Sequence, residues 1–428
     1  MTVGPRTFSP ILAGILVLWP IIAYMGAQGY TGAVGIAALL GLAYVRVTGI
    51  RAYAIACAAF MAWIVAAGFW APEAKDFITG NLFAGSFSMD MPGIRFALTA
   101  LAGIGVLSAT YAVAKGASRI SLGVIVGVAL VQFGGVVVTA LFMDQILALL
   151  APISDPVKEM PQNLIRNANA FALLLPFLLA WVWHRDDPRF GPRAAIAIGV
   201  IAFIAFVLTG TQSAMVGAVL MAALMLVVRL MPKYGFRAIF SGLAIYVIAM
   251  PVIVSSGLAI VRGLGVPLPR SFFSRTYSWE FVSAKVYEAP LIGHGPEASH
   301  TWKDTFGDHP EWLADASARF GDGQAWQVYS VVPVHPHNMP LQIWAETGAI
   351  GAALAAAFLF FLGWRLRPPQ DWSPVTKYAA AGLIGVCLAI GSFAYSMWNE
   401  AFWGSVVLAA AVIVLQARHQ NGASRDPT

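Results

Sequence analysis

Long apolar runs broken by short polar stretches organise this chain. They lie near 9–27, 31–46, 52–70, 93–114, 120–142, 166–183, 194–210, 213–230, 238–260, 341–364, 377–396 and 400–417. Each run is continuous rather than alternating, which predicts membrane-crossing helices and not the strands of a barrel. The expected fold is therefore all-α and polytopic, with about twelve transmembrane helices. The second run is short for a bilayer and predicts a helix of little tilt or partly interfacial placement. The first run follows one basic residue, Arg6, and reads as an uncleaved span because further spans follow at once.

The same pattern divides the chain in three: spans one to nine over 1–260, a long polar loop over 261–338, and spans ten to twelve with a tail over 339–428. Within the loop, Arg275, Trp279, Val282 and Val286 recur at helical spacing, so Ser274 to Glu288 predicts an amphipathic helix that Pro290 and Gly293 end. Trp302, Trp312 and Trp326 suit a loop lying at lipid headgroups. There is no internal repeat.

Composition fixes the class. The chain has 428 residues, of which 59% are hydrophobic and 11% charged, with a mean hydropathy of +0.74. Soluble domains carry roughly 25% charged residues. The net charge of +6 is in this setting a topology signal and not a sign of nucleic-acid binding. With the N-terminus in the cytoplasm, the inside segments hold 16 Lys and Arg against 4 in the short outside segments. Both termini are then expected in the cytoplasm, with the segments 71–92, 143–165 and 261–338 on the exterior face. Cys57 and Cys387 fall inside apolar runs and imply no disulfide, nucleophile or metal site.

Chemistry gathers where the long loop meets the tenth span, at His335-Pro336-His337-Asn338-Met339-Pro340-Leu341. An imidazole at the mouth of a membrane helix can take a proton near neutral pH, although the plain reading is an interfacial residue at a helix end. Arg262, Arg270 and Arg275 in the loop and Arg166 at the sixth span are candidate anion contacts. Each alone reads equally as a headgroup-binding arginine. Glu346 lies one turn past Gln342 in an apolar helix, where a carboxylate is costly. It is a candidate to orient the histidine through a network or to pair with an arginine. The histidines lack the spacing and carboxylate or thiolate partners of a metal site. Gly293-His294-Gly295 lacks the strand-turn-helix context of a nucleotide loop.

His337-Asn338-x-x-Leu341 followed by Glu346-x-Gly348 resembles the signature of the bacterial O-antigen ligase and O-antigen polymerase superfamily, membrane glycosyltransferases that move glycans off polyprenyl diphosphate. Arg275 with Trp279, then Pro290-Leu291-Ile292-Gly293-x-Gly295, resembles the Arg, Trp and Pro-x-x-Gly-x-Gly segment of that family's large periplasmic loop. Arg166-Asn167-x-Asn169-x-Phe171-Ala172 resembles its Asn-x-Phe-Ala segment. The resemblance implies that Arg275 binds the donor diphosphate and that His337 serves the acceptor as base or orienting group. It makes Arg166, Gln212, Arg270, Trp279, Asn338 and Glu346 candidates for substrate contact. In one place the chain departs from the pattern: within Thr209-Gly210-Thr211-Gln212-Ser213-Ala214, Gln212 stands where the family has an arginine.

The chemistry that the resemblance implies needs anion stabilisation for a diphosphate leaving group and a base for a sugar hydroxyl, and neither metal nor other cofactor. The expected donor is a glycan on undecaprenyl diphosphate. The expected acceptor is lipid A-core for a ligase, or another lipid-linked repeat for an O-antigen or exopolysaccharide polymerase. The expected place is the bacterial inner membrane, with the active face periplasmic. A transporter is the rival class. It predicts paired halves and charges near mid-bilayer, whereas here charges avoid the span centres and one loop outgrows the others.

Overall fold

The computed structural model describes residues 8–44, 52–73, 75–76, 79–80, 84, 89–113, 119–150, 160–184, 189–265, 267–365 and 372–423. Arg6, Arg46, Arg51, Lys115, Lys158, Arg185, Arg367 and Arg425 of the orientation count lie outside them, as do parts of the 71–92 and 143–165 segments. The described residues form helices and no β-strand. In order these are α1 (Phe8–Leu16), α2 (Trp19–Tyr24), α3 (Gly29–Gly41), α4 (Ala52–Ala67), α5 (Pro92–Ala112), α6 (Arg119–Leu150), α7 (Met160–Trp183), α8 (Phe190–Leu208) and α9 (Gln212–Leu230). They continue with α10 (Gly235–Ile248), α11 (Met250–Gly263), α12 (Arg270–Glu288), α13 (Pro310–Phe320), α14 (Gly323–Gln327), α15 (Met339–Arg365), α16 (Pro374–Phe393) and α17 (Glu400–Ala423).

Nine helices among the described residues are long and apolar enough to cross a membrane, and the chain is a multi-pass membrane protein. In lipid every backbone group must be paired within the segment, so apolar runs of this length have no alternative to helix. The remaining three expected spans differ. The first is split into α1 and α2, the second is the 13-residue α3, and the ninth is two helices, α10 and α11, bent by 77°. The bend has a cause. Pro251, at the start of α11, has no N–H to continue the ladder, and the Val247 carbonyl takes the Trp344 indole N–H instead, at 2.7 Å.

After the bend, α11 buries Met250, Val254 and Leu258 against the loop region and leaves Val252, Ile260 and Leu264 outward. The loop then folds as a unit. Its helix α12 starts four residues earlier than the pattern predicted, behind Pro269, and buries Phe273, Tyr277, Val282 and Val286. These pack with Phe306, Trp302 and Trp326. Trp302 and Trp326 are therefore core residues of the loop and not headgroup anchors, because a loop of this size closes its own aromatic cluster. Trp312 stacks on His309, with ring centroids 4.0 Å apart.

The bundle has two chemically distinct ends. One carries the loop unit, the first residues of α9 and α15, and the turn between α16 and α17. At the other, Arg229 ends α9, Arg365 ends α15, Arg237 lies over Trp364 at 4.9 Å, and Arg418 reaches the Val113 carbonyl at 3.0 Å.

Candidate active site

The start of α15 is held from three sides. Asn338 caps it: its Oδ1 accepts from the Leu341 N–H at 3.1 Å, the third residue of the helix, and its Nδ2 faces Met250 Sδ at 3.5 Å. Ahead of the cap, Trp279 Nε1 on α12 donates to the Pro336 carbonyl at 2.8 Å. Between these anchors His337 adopts φ +51°, a left-handed conformation that costs a residue with a side chain on the order of 1–3 kcal/mol and persists only where neighbours enforce it.

His337 Nδ1 lies 3.0 Å from the Ala394 carbonyl oxygen, at the end of α16. A carbonyl can only accept, so Nδ1 carries the hydrogen and Nε2 keeps a bare lone pair. The backbone N–H of His337 donates to His335 Nδ1 at 3.2 Å, which fixes the opposite tautomer on His335. Burial pushes the His337 imidazole down to about 4, and the nearby Arg275 charge adds to the effect while the Ala394 contact opposes it. Burial, then the charge of His337, holds His335 well below the usual histidine range.

Arg275 projects from α12 toward the same end. Its Nη1 is 3.5 Å from Gln212 Oε1, which also accepts from Ser271 Oγ at 2.9 Å. The guanidinium lies 5.5 Å from the centroid of the Phe272 ring. Among the described residues no carboxylate is in ion-pair contact with it. Gln212 is the first residue of α9, so the positive end of that helix dipole faces the same place. The result is a half-buried cation, a helix N-terminus and a neutral imidazole gathered at one spot.

Glu346 has a different setting. It is fully buried, and its carboxylate accepts from the Glu297 N–H at 2.8 Å, the Ser299 N–H at 3.3 Å, Ser299 Oγ at 2.6 Å, Gln342 Nε2 at 3.2 Å and the Trp398 indole N–H. Two residues on, α15 breaks at Gly348, with φ +67°. The Pro290–Gly295 segment fills the break. The His294 and Gly295 N–H groups donate to the Ala345 and Glu346 carbonyls at 3.0 and 2.8 Å, while the Ala349 and Ile350 N–H groups donate to the Pro290 and Leu291 carbonyls at 2.9 and 3.2 Å. Backbones meet so closely that a Cβ on Gly348 would overlap the Leu291 carbonyl and one on Gly293 the Glu346 carbonyl. The Pro-x-x-Gly-x-Gly and Glu-x-Gly segments are thus two halves of one interlock.

Of the expected site residues, the structure brings together His337, Arg275 and Gln212, with Trp279 and Asn338 anchoring the histidine turn. Arg270 is exposed and lies 4.9 Å from the Trp326 ring centroid. Arg166 has Nη1 3.3 Å from Asn163 Oδ1, and its charge acts on Tyr395, the residue after Ala394. Glu346 pairs with no arginine among the described residues. Among those residues no group of three or more His, Cys, Asp or Glu is arranged to hold a metal ion. Sequence reasoning missed the 394–399 turn, which supplies the carbonyl to His337. Its only signal was a polar break between two apolar runs.

Residues 197–356 match the family model described as O-antigen ligase. This segment is similar to an O-antigen ligase domain. It runs from within α8 into α15 and contains Gln212, Arg275 and His337, while Arg166 and the 394–399 turn lie outside it. A Rickettsia conorii protein named "Putative polysaccharide ligase" is 31% identical over 86 residues, which cover 20% of this chain and 18% of that protein. The match thus spans less than a fifth of the relative's length. No solved structure matches the chain.

Proposed function

We propose that this chain is a membrane glycosyltransferase that moves a glycan from undecaprenyl diphosphate to a sugar hydroxyl, acting as an O-antigen ligase on lipid A-core at the periplasmic face of the inner membrane. The observation that carries the reading is Arg275, a half-buried guanidinium without a carboxylate partner among the described residues, close enough to His337 to depress its pKa. A cation desolvated and left without a counter-charge is costly unless an anionic ligand completes it. A diphosphate offers paired oxygens for its fork, and the start of α9 adds a helix dipole. The basic residues at the opposite end of the bundle support the exterior placement.

In the proposed step, the acceptor hydroxyl donates to His337 Nε2 and its oxygen attacks the anomeric carbon of the donor. The bond from that carbon to the diphosphate oxygen breaks, and the leaving undecaprenyl diphosphate keeps the electron pair and its charge against Arg275. The hydroxyl proton passes to His337 and then to water. An imidazole held at about 4 is a weak base, and Arg275 is one reason. A bound diphosphate neutralises that charge, so the base strengthens once the donor is in place. Binding order and base strength are then coupled. No metal or other cofactor is needed for this step.

The test is transfer of polyprenyl-linked glycan in cells lacking the native gene, read as glycan banding. His337→Ala should lower transfer by about 10²–10⁴-fold while the protein inserts normally. Near-normal transfer would leave the histidine as a helix-end residue only. The same gels separate the alternative, a polymerase: loss of glycan from lipid A-core with repeat length intact supports the ligase, and loss of repeat length supports the polymerase.

A further inference from the structure

The carbonyl that fixes the His337 tautomer belongs to a turn with no regular secondary structure, and a pair of buried side chains on α15 holds the middle of that turn, with Trp403 Nε1 donating to the Met397 carbonyl at 2.8 Å from the other side. Gln342 and Glu346 lie one helical turn apart on the first part of α15 and are both almost wholly inaccessible. Gln342 Oε1 accepts from the Met397 N–H at 2.9 Å and from Ser396 Oγ at 3.2 Å, and its Nε2 lies 3.0 Å from Ser396 Oγ and 3.2 Å from Glu346 Oε1. Glu346 takes the Trp398 indole N–H, and the Trp398 backbone N–H reaches Ser396 Oγ at 3.2 Å. Two side chains on α15 thus hold Ser396, Met397 and Trp398, within two to four residues of Ala394. The same helix carries His337 two residues before its first turn. Both partners of the Nδ1 contact are therefore referred to one short piece of helix.

We propose that Gln342 and Glu346 are positioning residues for His337: they hold the 394–399 turn where the Ala394 carbonyl meets Nδ1, so that Nε2 stays bare toward the acceptor. In many hydrolases a carboxylate orients the catalytic imidazole; here the orienting group is a neutral carbonyl, with the carboxylate set behind it through Gln342. A carbonyl adds less negative charge next to the ring than a carboxylate would, so it fixes the tautomer with little pull toward a second proton on Nε2. Glu346 also takes the Glu297 and Ser299 N–H groups, and Glu297 meets Lys75 and Arg95, each at 2.9 Å. The network thus ties the histidine to the loop unit that carries Arg275. The inference rests on reading His337 as the group that takes the acceptor's proton.

The experiment uses the full-length protein in detergent, with Gln342→Met and, as a milder break in the same chain, Ser396→Ala. Spectra of protein labelled with ¹⁵N-histidine report the tautomer, with the His337 signal assigned by its absence in His337→Ala. The unaltered protein should show His337 with Nδ1 protonated and Nε2 bare. Gln342→Met should populate both tautomers and lower kcat by about 10–100-fold, with donor and acceptor KM within about threefold. Ser396→Ala should move the same signals less. A folded Gln342→Met protein with an unchanged tautomer overturns the proposal, as does a shifted tautomer with unchanged kcat. If Gln342→Met does not fold, the Ser396→Ala tautomer decides by the same criterion. The functional reading fails separately: it falls if His337→Ala retains transfer, whatever the spectra show.

Discussion

Arg275 and Glu346 are two charged side chains tied to the candidate site, and they are treated in opposite ways. Glu346 is fully buried, and five donors point at its two oxygens. Arg275 is half-buried, and among the described residues its guanidinium has one long hydrogen bond, 3.5 Å to a neutral amide oxygen. A saturated buried charge is finished within the fold and has no capacity left for a ligand. A desolvated charge with spare donors is completed from outside. The contrast separates a charge that the fold completes from one that it leaves open, although both are charged residues in family-like motifs.

The largest effect expected from breaking this contrast is on activity at Arg275. Arg275→Ala should lower transfer by about 10²–10⁴-fold and leave the detergent thermal midpoint unchanged or slightly raised, because a desolvated cation is removed. Arg275→Lys should recover only part of the activity, since an ammonium lacks the two-pronged hold on phosphate oxygens. Full activity in Arg275→Lys would mean that charge alone matters and that the fork is not used.

At Glu346 the loss should fall on stability first, with activity lowered beside it. Glu346→Ala strands the Glu297 and Ser299 N–H groups and the Trp398 indole N–H, and should cost about 3–5 kcal/mol of stability, seen as a large fall in thermal midpoint and in the amount of membrane-inserted protein. Gly348→Ala should act alike, because it puts a Cβ into the Leu291 carbonyl at φ +67°. Normal yield and midpoint in both variants would show that the interlock is dispensable.

The class of fold was legible from the apolar runs alone, since continuous hydrophobicity leaves a chain in lipid little choice. The ninth expected span departs from a straight helix where local chemistry overrides length. At Val247 the bend depends on an indole from Trp344, nearly a hundred residues away, and no window around Pro251 contains it. The loop tryptophans show the same limit: Trp302 and Trp326 look like headgroup anchors until a fold sets Phe281 beside the first and Phe273 and Phe306 beside the second. That His337, Arg275 and Gln212 belong to one candidate site was suggested by motif resemblance, and their proximity by the fold alone. Roles were less legible. Asn338 and Trp279 anchor the histidine turn, and the Ala394 carbonyl was invisible because any residue supplies one.

A smaller effect is expected at Gln212, where the chain departs from the family pattern. Its Oε1 gathers Ser271 and Arg275, so it orients the guanidinium without adding charge. Gln212→Arg should keep transfer within about threefold and lower the donor KM by up to about 10-fold, because a second cation meets the diphosphate once it is bound. Before binding, two guanidinium groups repel, so the thermal midpoint should fall slightly without donor and recover with it. Complete loss of transfer in a well-expressed Gln212→Arg protein would place the donor elsewhere.

The smallest effect on transfer should come from His335, even though its ring centroid lies 4.2 Å from that of His337. His335→Ala removes an acceptor for one backbone N–H and leaves the Nδ1 contact to Ala394 intact, so transfer should stay within about threefold. Its effect should appear in acid instead. Both histidines titrate below their ordinary range in the folded protein, His337 at about 4. Below an unfolded-state value of about 6.5 the unfolded chain binds protons that the folded chain refuses, so stability falls as pH drops from there toward 4. Above about 6.5 neither group contributes a slope. Removing His335 deletes one of the two refused protons, so the loss of thermal midpoint between pH 6.5 and 4.5 should be smaller in His335→Ala than in the unaltered protein. An identical acid slope in the two proteins would show that His335 is protonated in the folded state and that its burial does not hold it neutral.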